Sequence, residues 1–204
     1  MLRFLYIIFI LRYTFAVRLF SSSLKNKINL EFFHGSNIDS SFYRPFLNKL
    51  KDSYEINVST PNYITWPFFP KNTILIGHSF GGSVCLLYYM IEKLMGTSNI
   101  KACILINSHF NQREVMPYPK IDILSVHVPV LTILTDNDEK LPLSKAMDDA
   151  IYVKENNISN KIFIVVRGNH TSCFTNLNNN DTIGHIKKFL FYLNQYKDKN
   201  IEKV

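Results

Sequence analysis

The run Thr73-Ile74-Leu75-Ile76 leads straight into Gly77-His78-Ser79-Phe80-Gly81-Gly82, and the apolar segment Phe80–Met95 follows at once. A short apolar, β-branched run bounded by glycine reads as a buried strand, and the longer segment closed by Gly96 reads as a helix. A strand that passes into a helix through one tight turn does not build a hairpin. It belongs to a parallel sheet whose strands are joined by helical crossovers. Gly77 and Gly81 leave room for a sharp backbone turn around Ser79.

The rest of the chain repeats this alternation. Strands are predicted at Ile28–Phe33, Tyr54–Val58, Ala102–Ile106, Val130–Leu134 and Lys161–Val166. Helices are predicted at Ser41–Lys51, Leu143–Lys154, with Ser144 as a cap, and Thr182–Tyr196. Strands this apolar are covered on both faces. The expected architecture is therefore α/β, a three-layer sandwich around a mostly parallel sheet of about six strands. Residues 61–72, with Pro61, Pro67 and Pro70 around aromatic residues, read as irregular or as a brief helical turn. Residues 107–128 have space for one helix or an open loop, and no second domain fits.

Three residues in this frame carry chemistry. Ser79 stands at the strand-to-helix turn, where the helix amino terminus favours negative charge developing nearby. A serine hydroxyl needs a base to act as a nucleophile at neutral pH. His170 follows the strand Lys161–Val166 through Arg167-Gly168-Asn169, so its loop also leaves the carboxyl end of a strand. Open α/β sheets build their sites at those ends. A carboxylate should orient the imidazole. Asp136 and Asp138 both follow the strand Val130–Leu134; Asp138 is preferred and Asp136 is the fallback. Asp122 is tied to no clear strand end.

With these segments in place, the chain resembles the α/β-hydrolase superfamily over about residues 30–196, in a minimal form without a lid domain. The resemblance implies a serine hydrolase of the esterase or lipase type, with Ser79, Asp138 and His170 as its catalytic set. It matches His34-Gly35-Ser36 to the family's oxyanion loop and makes the backbone N–H groups of Ser36 and Phe80 the oxyanion donors. His34, Gly35, Gly77 and Gly81 become supporting residues. The family's acid segment places the acid four residues before a proline, here Pro142, which selects Asp138. Thr135 and Ile38 depart from the pattern, since many members carry glycine at both positions. No metal or organic cofactor is implied, and the histidine and cysteine spacings offer no zinc site.

Substrate class is less constrained. Trp66, Phe68, Phe69, Phe80, Phe110 and Tyr118 fall in segments near the expected site and favour a carboxylic ester with an apolar acyl or alcohol group, down to a lipid. A thioesterase or an acyltransferase would use the same triad. A non-catalytic binding protein of the same fold is the alternative from another class.

The net charge of +7 is concentrated in Arg3, Arg12, Arg18, Lys25 and Lys27, with no acid before Glu31. This leaves the body nearly balanced and argues against a nucleic-acid face. Residues 1–24 form a hydrophobic basic leader and 25–204 a single domain. The run Phe4–Leu11 and the following Arg12 leave four readings of this segment open: a secretory signal, an organellar presequence, an anchor giving membrane contact, or a folded first strand. Cys85, Cys103 and Cys173 read as buried free thiols.

Overall fold

The computed structural model describes residues 28–53, 57–59, 69–97, 99–108, 123–175 and 179–200. Six strands, β1 (Asn29–Phe33), β2 (Asn57–Ser59), β3 (Thr73–His78), β4 (Ile100–Ile106), β5 (Val130–Thr135) and β6 (Lys161–Val166), form one sheet in the order β2-β1-β3-β4-β5-β6. Every neighbouring pair is parallel. The α/β sandwich with a parallel sheet expected from the sequence is the observed architecture.

Alternation along the central strands sorts side chains between two helical layers. Leu30 and Phe32 of β1, Ile74 and Ile76 of β3, and Ile104 and Ile106 of β4 face α1 (Arg44–Ser53) and α4 (Asn179–Asn200). They meet Phe46 and Leu50 of α1 and Ile186 and Leu190 of α4. Phe33, Leu75, Cys103 and Leu105 face the other way, onto Val84, Cys85 and Tyr88 of α2 (Phe80–Leu94) and Val153 of α3 (Leu143–Glu155). All three cysteines are free and buried. Two buried faces explain why β3 and β5 have no exposed position.

Several boundaries differ from the sequence expectation for local reasons. A 3-10 turn, Ser40–Tyr43, precedes α1, because Asp39 accepts the Ser41 N–H at 2.8 Å and Pro45 stands near the helix start. The second strand lies at Asn57–Ser59, later than predicted, and residues 54–56 fall outside the described residues. β3 runs on through Gly77 and His78, and β4 begins at Ile100. Ser144 does not cap α3: Pro142 holds the cap position, and no side chain bonds to it. Gly96, at φ 69°, ends α2 as expected. Phe69 is 5 % exposed and packs edge-on against Phe33 and Tyr88 in the core beneath α2. Among the described residues no helix is long and apolar enough to cross a membrane. Residues 1–27, including the leader, lie outside the described residues, as do Trp66, Phe68, Phe110, Tyr118 and Asp122.

Candidate active site

The sheet order reverses around β1, with β2 on one side and β3 on the other. The loops leaving the carboxyl ends of β1 and β3 diverge there, which opens the crevice where doubly wound sheets place ligands. Chain turns at this edge use left-handed or related backbone: Asn37 after β1 (φ 59°), Ser79 after β3 (φ 52°), Asn107 after β4 (φ 45°) and Gly168 after β6 (φ 129°). Asparagine and glycine tolerate positive φ. Serine at φ 52°, ψ −121° does not do so readily, and a strained backbone of this kind costs on the order of 1–3 kcal/mol.

That strain is held by packing on every side. The Ser79 N–H donates to the Ile106 carbonyl at 2.9 Å, and the Gly82 N–H returns to the Ser79 carbonyl at 2.9 Å. A Cβ on Gly77 would lie 2.3 Å from the Gly81 carbonyl oxygen. One on Gly81 would lie 2.2 Å from the Phe33 carbonyl oxygen, and one on Gly82 would lie 2.2 Å from Ser108 Oγ. The three glycines let the helix start, the end of β1 and the end of β4 close onto one point. Ser79 occupies the cap position of α2, but its side chain makes no capping bond. Its hydroxyl is therefore not spent on the helix.

His170 is 3 % exposed, and its Nδ1–H donates to Asp138 Oδ2 at 2.7 Å. Asp138 Oδ1 accepts the N–H groups of Lys140 and Leu141, each at 2.8 Å. Burial raises the Asp138 pKa, but the bonds from His170, Leu141 and Lys140 outweigh it, so the net shift is downward. The carboxylate is thus ionised and fixed at both oxygens. Asp136, the fallback, points elsewhere: it is exposed and accepts the Gly168 N–H at 2.9 Å. It shapes the turn before His170 rather than meeting the ring.

The loop after β1 carries His34, Gly35 and Ser36. His34 Nδ1–H donates to the Gly35 carbonyl at 3.0 Å, Gly35 is buried and Ser36 is exposed. Gly35 needs its lack of a side chain, since a Cβ would lie 2.9 Å from His78 Nδ1 and 3.2 Å from the Tyr43 hydroxyl. Ile38 explains its own departure from the family pattern: its Cδ1 lies 3.3 Å from that Cβ position and joins the α1-side core. Thr135, the other departure, donates both its N–H (2.9 Å) and its Oγ1–H (3.1 Å) to Asn107 Oδ1.

Three residues near this edge escaped the sequence reading: Tyr43, Asn107 and Phe174. Tyr43 bonds His78, Asn107 accepts from Thr135, and Phe174 meets His78 edge-on with ring centroids 4.7 Å apart. Phe174 also meets Tyr43 at 4.8 Å and Phe46 at 4.9 Å, anchoring the His170 loop in the core. Adjacency to Ser79 was the one sequence signal, and it pointed only to His78. The others come from distant segments.

No protein-family model matches the sequence, and neither does any curated protein. Solved structures do resemble the fold. An esterase from Thermogutta terrifontis superposes with a TM-score of 0.62 at 12% identity, covering 81% of this chain and 90% of its own. Esterase PE8 gives 0.59 at 16% identity, covering 82% and 93%. A fluorophosphonate-binding serine hydrolase of Staphylococcus aureus gives 0.59 at 13% identity, covering 85% and 87%. With its strand order, its glycine-lined turn at Ser79 and this likeness, the chain has the α/β-hydrolase fold.

Proposed function

We propose that the protein is a serine hydrolase that cleaves a carboxylic ester with an apolar acyl or alcohol group. The observation that carries this reading is the buried His170–Asp138 hydrogen bond at the same sheet edge as the strained turn of Ser79. Ser79 Oγ attacks the acyl carbonyl as His170 Nε2 takes its proton. Asp138 keeps the remaining ring proton on Nδ1 and stabilises the imidazolium. The N–H groups of Ser36 and Phe80 receive the oxyanion, aided by the amino terminus of α2. The alcohol leaves with the proton from His170, and water then releases the acid from the acyl-enzyme by the same steps.

The test is fluorophosphonate labelling of the full chain beside Ser79→Ala, followed by a panel of short- and long-chain esters and thioesters. Labelling of the parent alone, with faster turnover of long-chain oxygen esters, is expected. A folded parent that does not label overturns the reading in favour of a binding protein. Preference for thioesters would move the substrate class and leave the triad in place.

A further inference from the structure

A second set of buried polar groups joins the two halves of this site. The Gly35 N–H donates to the Tyr43 hydroxyl at 3.0 Å. That hydroxyl lies 2.8 Å from His78 Nδ1, and His78 Nε2 lies 3.0 Å from the His170 carbonyl oxygen. Tyr43 and His78 are both fully buried. Only one proton arrangement fits. A carbonyl can only accept, so His78 carries its proton on Nε2; Nδ1 is then a lone pair, and Tyr43 must donate to it. The chain runs Gly35 N–H, Tyr43 O–H, His78 Nε2–H, His170 C=O, with every member satisfied.

The same carbonyl accepts a second bond, from Asn107 Nδ2 at 2.7 Å. Asn107 cannot flip, because Thr135 donates to its Oδ1 from both N–H and hydroxyl. The His170 peptide is therefore fixed by side chains from the ends of β3 and β4, backed by β5. Burial lowers the His78 pKa to about 3, and the neighbouring His170 adds to the shift. Burial pushes the Tyr43 phenol up to about 12. Both groups keep the relay neutral and its proton order fixed.

We propose that Tyr43 and His78 are positioning residues that lock the Gly35–Ser36 loop and the His170 backbone into one frame, so that oxyanion donor and general base are set together. This inference rests on the serine hydrolase reading. Misplacing a reacting group by about 1 Å can cost on the order of 100-fold in rate. Tyr43→Phe removes one oxygen and keeps the ring packing. His78→Gln keeps an N–H donor toward the His170 carbonyl and loses the aromatic Nδ1 acceptor.

The experiment measures the fluorophosphonate labelling rate of full-length parent, Tyr43→Phe, His78→Gln and the double variant, with the folded fraction of each checked by circular dichroism. Tyr43→Phe should slow labelling by roughly tenfold to 100-fold in fully folded protein. The double variant should be no slower than about threefold below the worse single variant, because either change already cuts the relay. Tyr43→Phe that labels at the parental rate while unfolding more easily overturns the relay and leaves a merely structural bond. Effects that multiply in the double variant overturn it too. A folded parent that fails to label overturns the hydrolase reading, and this role with it.

Discussion

Gly81→Ala tests the closeness of the Ser79 turn most directly. The new methyl carbon would stand 2.2 Å from the Phe33 carbonyl oxygen, 2.7 Å from the Phe33 carbonyl carbon and 2.8 Å from the His34 carbonyl oxygen. All three are backbone atoms, so no side chain can swing away. Phe33 is held in register with Gly77 of β3, and its ring is fully buried against Tyr88. Ordinary contact requires the start of α2 and the end of β1 to part by about 1 Å. Overpacking of this kind costs about 1–3 kcal/mol, and backbone on both sides puts the cost near 3 kcal/mol. Better helix propensity returns about 1 kcal/mol, leaving a net loss of about 2 kcal/mol. Urea unfolding should show the midpoint falling by about 1 M. Labelling at Ser79 should slow by on the order of 100-fold, because the displaced segments carry Ser79 and Ser36. Gly184→Ala in α4 is the control, since its Cβ meets nothing within 4 Å. It should stabilise the fold by up to about 1 kcal/mol. The steric argument fails if Gly81→Ala unfolds and labels like the parent, or if both alanines cost the same.

Two further outcomes follow from the electrostatics. Asp138→Asn should lower turnover by roughly 1,000-fold or more, because an amide no longer fixes the His170 tautomer or its charge, whereas Asp136→Asn should stay within about threefold; steady-state kinetics on a chromogenic ester separates them, and equal losses would reassign the acid. His78 ties stability to acid. Its folded pKa of about 3 lies below the ordinary histidine value, so below pH 6.5 the unfolded chain takes up a proton that the folded chain refuses. Stability is full above pH 6.5 and is lost as pH falls from there toward 3, by about 2 kcal/mol between pH 7 and pH 5. Urea midpoints at the two values should show that loss in the parent and not in a folded His78→Gln variant; parallel losses would place the acid sensitivity elsewhere.

The sequence by itself determined the layer architecture. Apolar runs such as Ile74–Ile76 and Ile104–Ile106 can only be buried on both faces, and each is followed or preceded by a helix-length segment, so a parallel sheet was the one arrangement that covers them. Ser79 was legible for a local reason too: its turn is built from adjacent glycines, and the clashes that demand them lie within a few residues or at the next strand. Placing His170 and Asp138 at strand ends was legible because an acid or base at such an end is delivered to a shared edge by topology alone.

What tertiary structure decided is which groups meet at that edge. Asp136 and Asp138 are two residues apart in the same loop, and only backbone bonds from Lys140 and Leu141 turn Asp138 toward His170 while Asp136 closes on Gly168. Helix α1 supplied no chemical signal, yet the 3-10 turn before it brings Tyr43 against His78 across the sheet. Thr135 looked like a flaw in a glycine position and proves to be a donor to Asn107. The side-chain contacts Asn107–Thr135, Asp138–His170, Asp136–Gly168 and Tyr43–His78 join residues 28 to 35 positions apart. Their existence depends on how the six strands order and on which way each loop turns. Hydrophobic periodicity reports burial of each segment separately and carries no record of its neighbours across the sheet, so only the folded chain settles that arrangement.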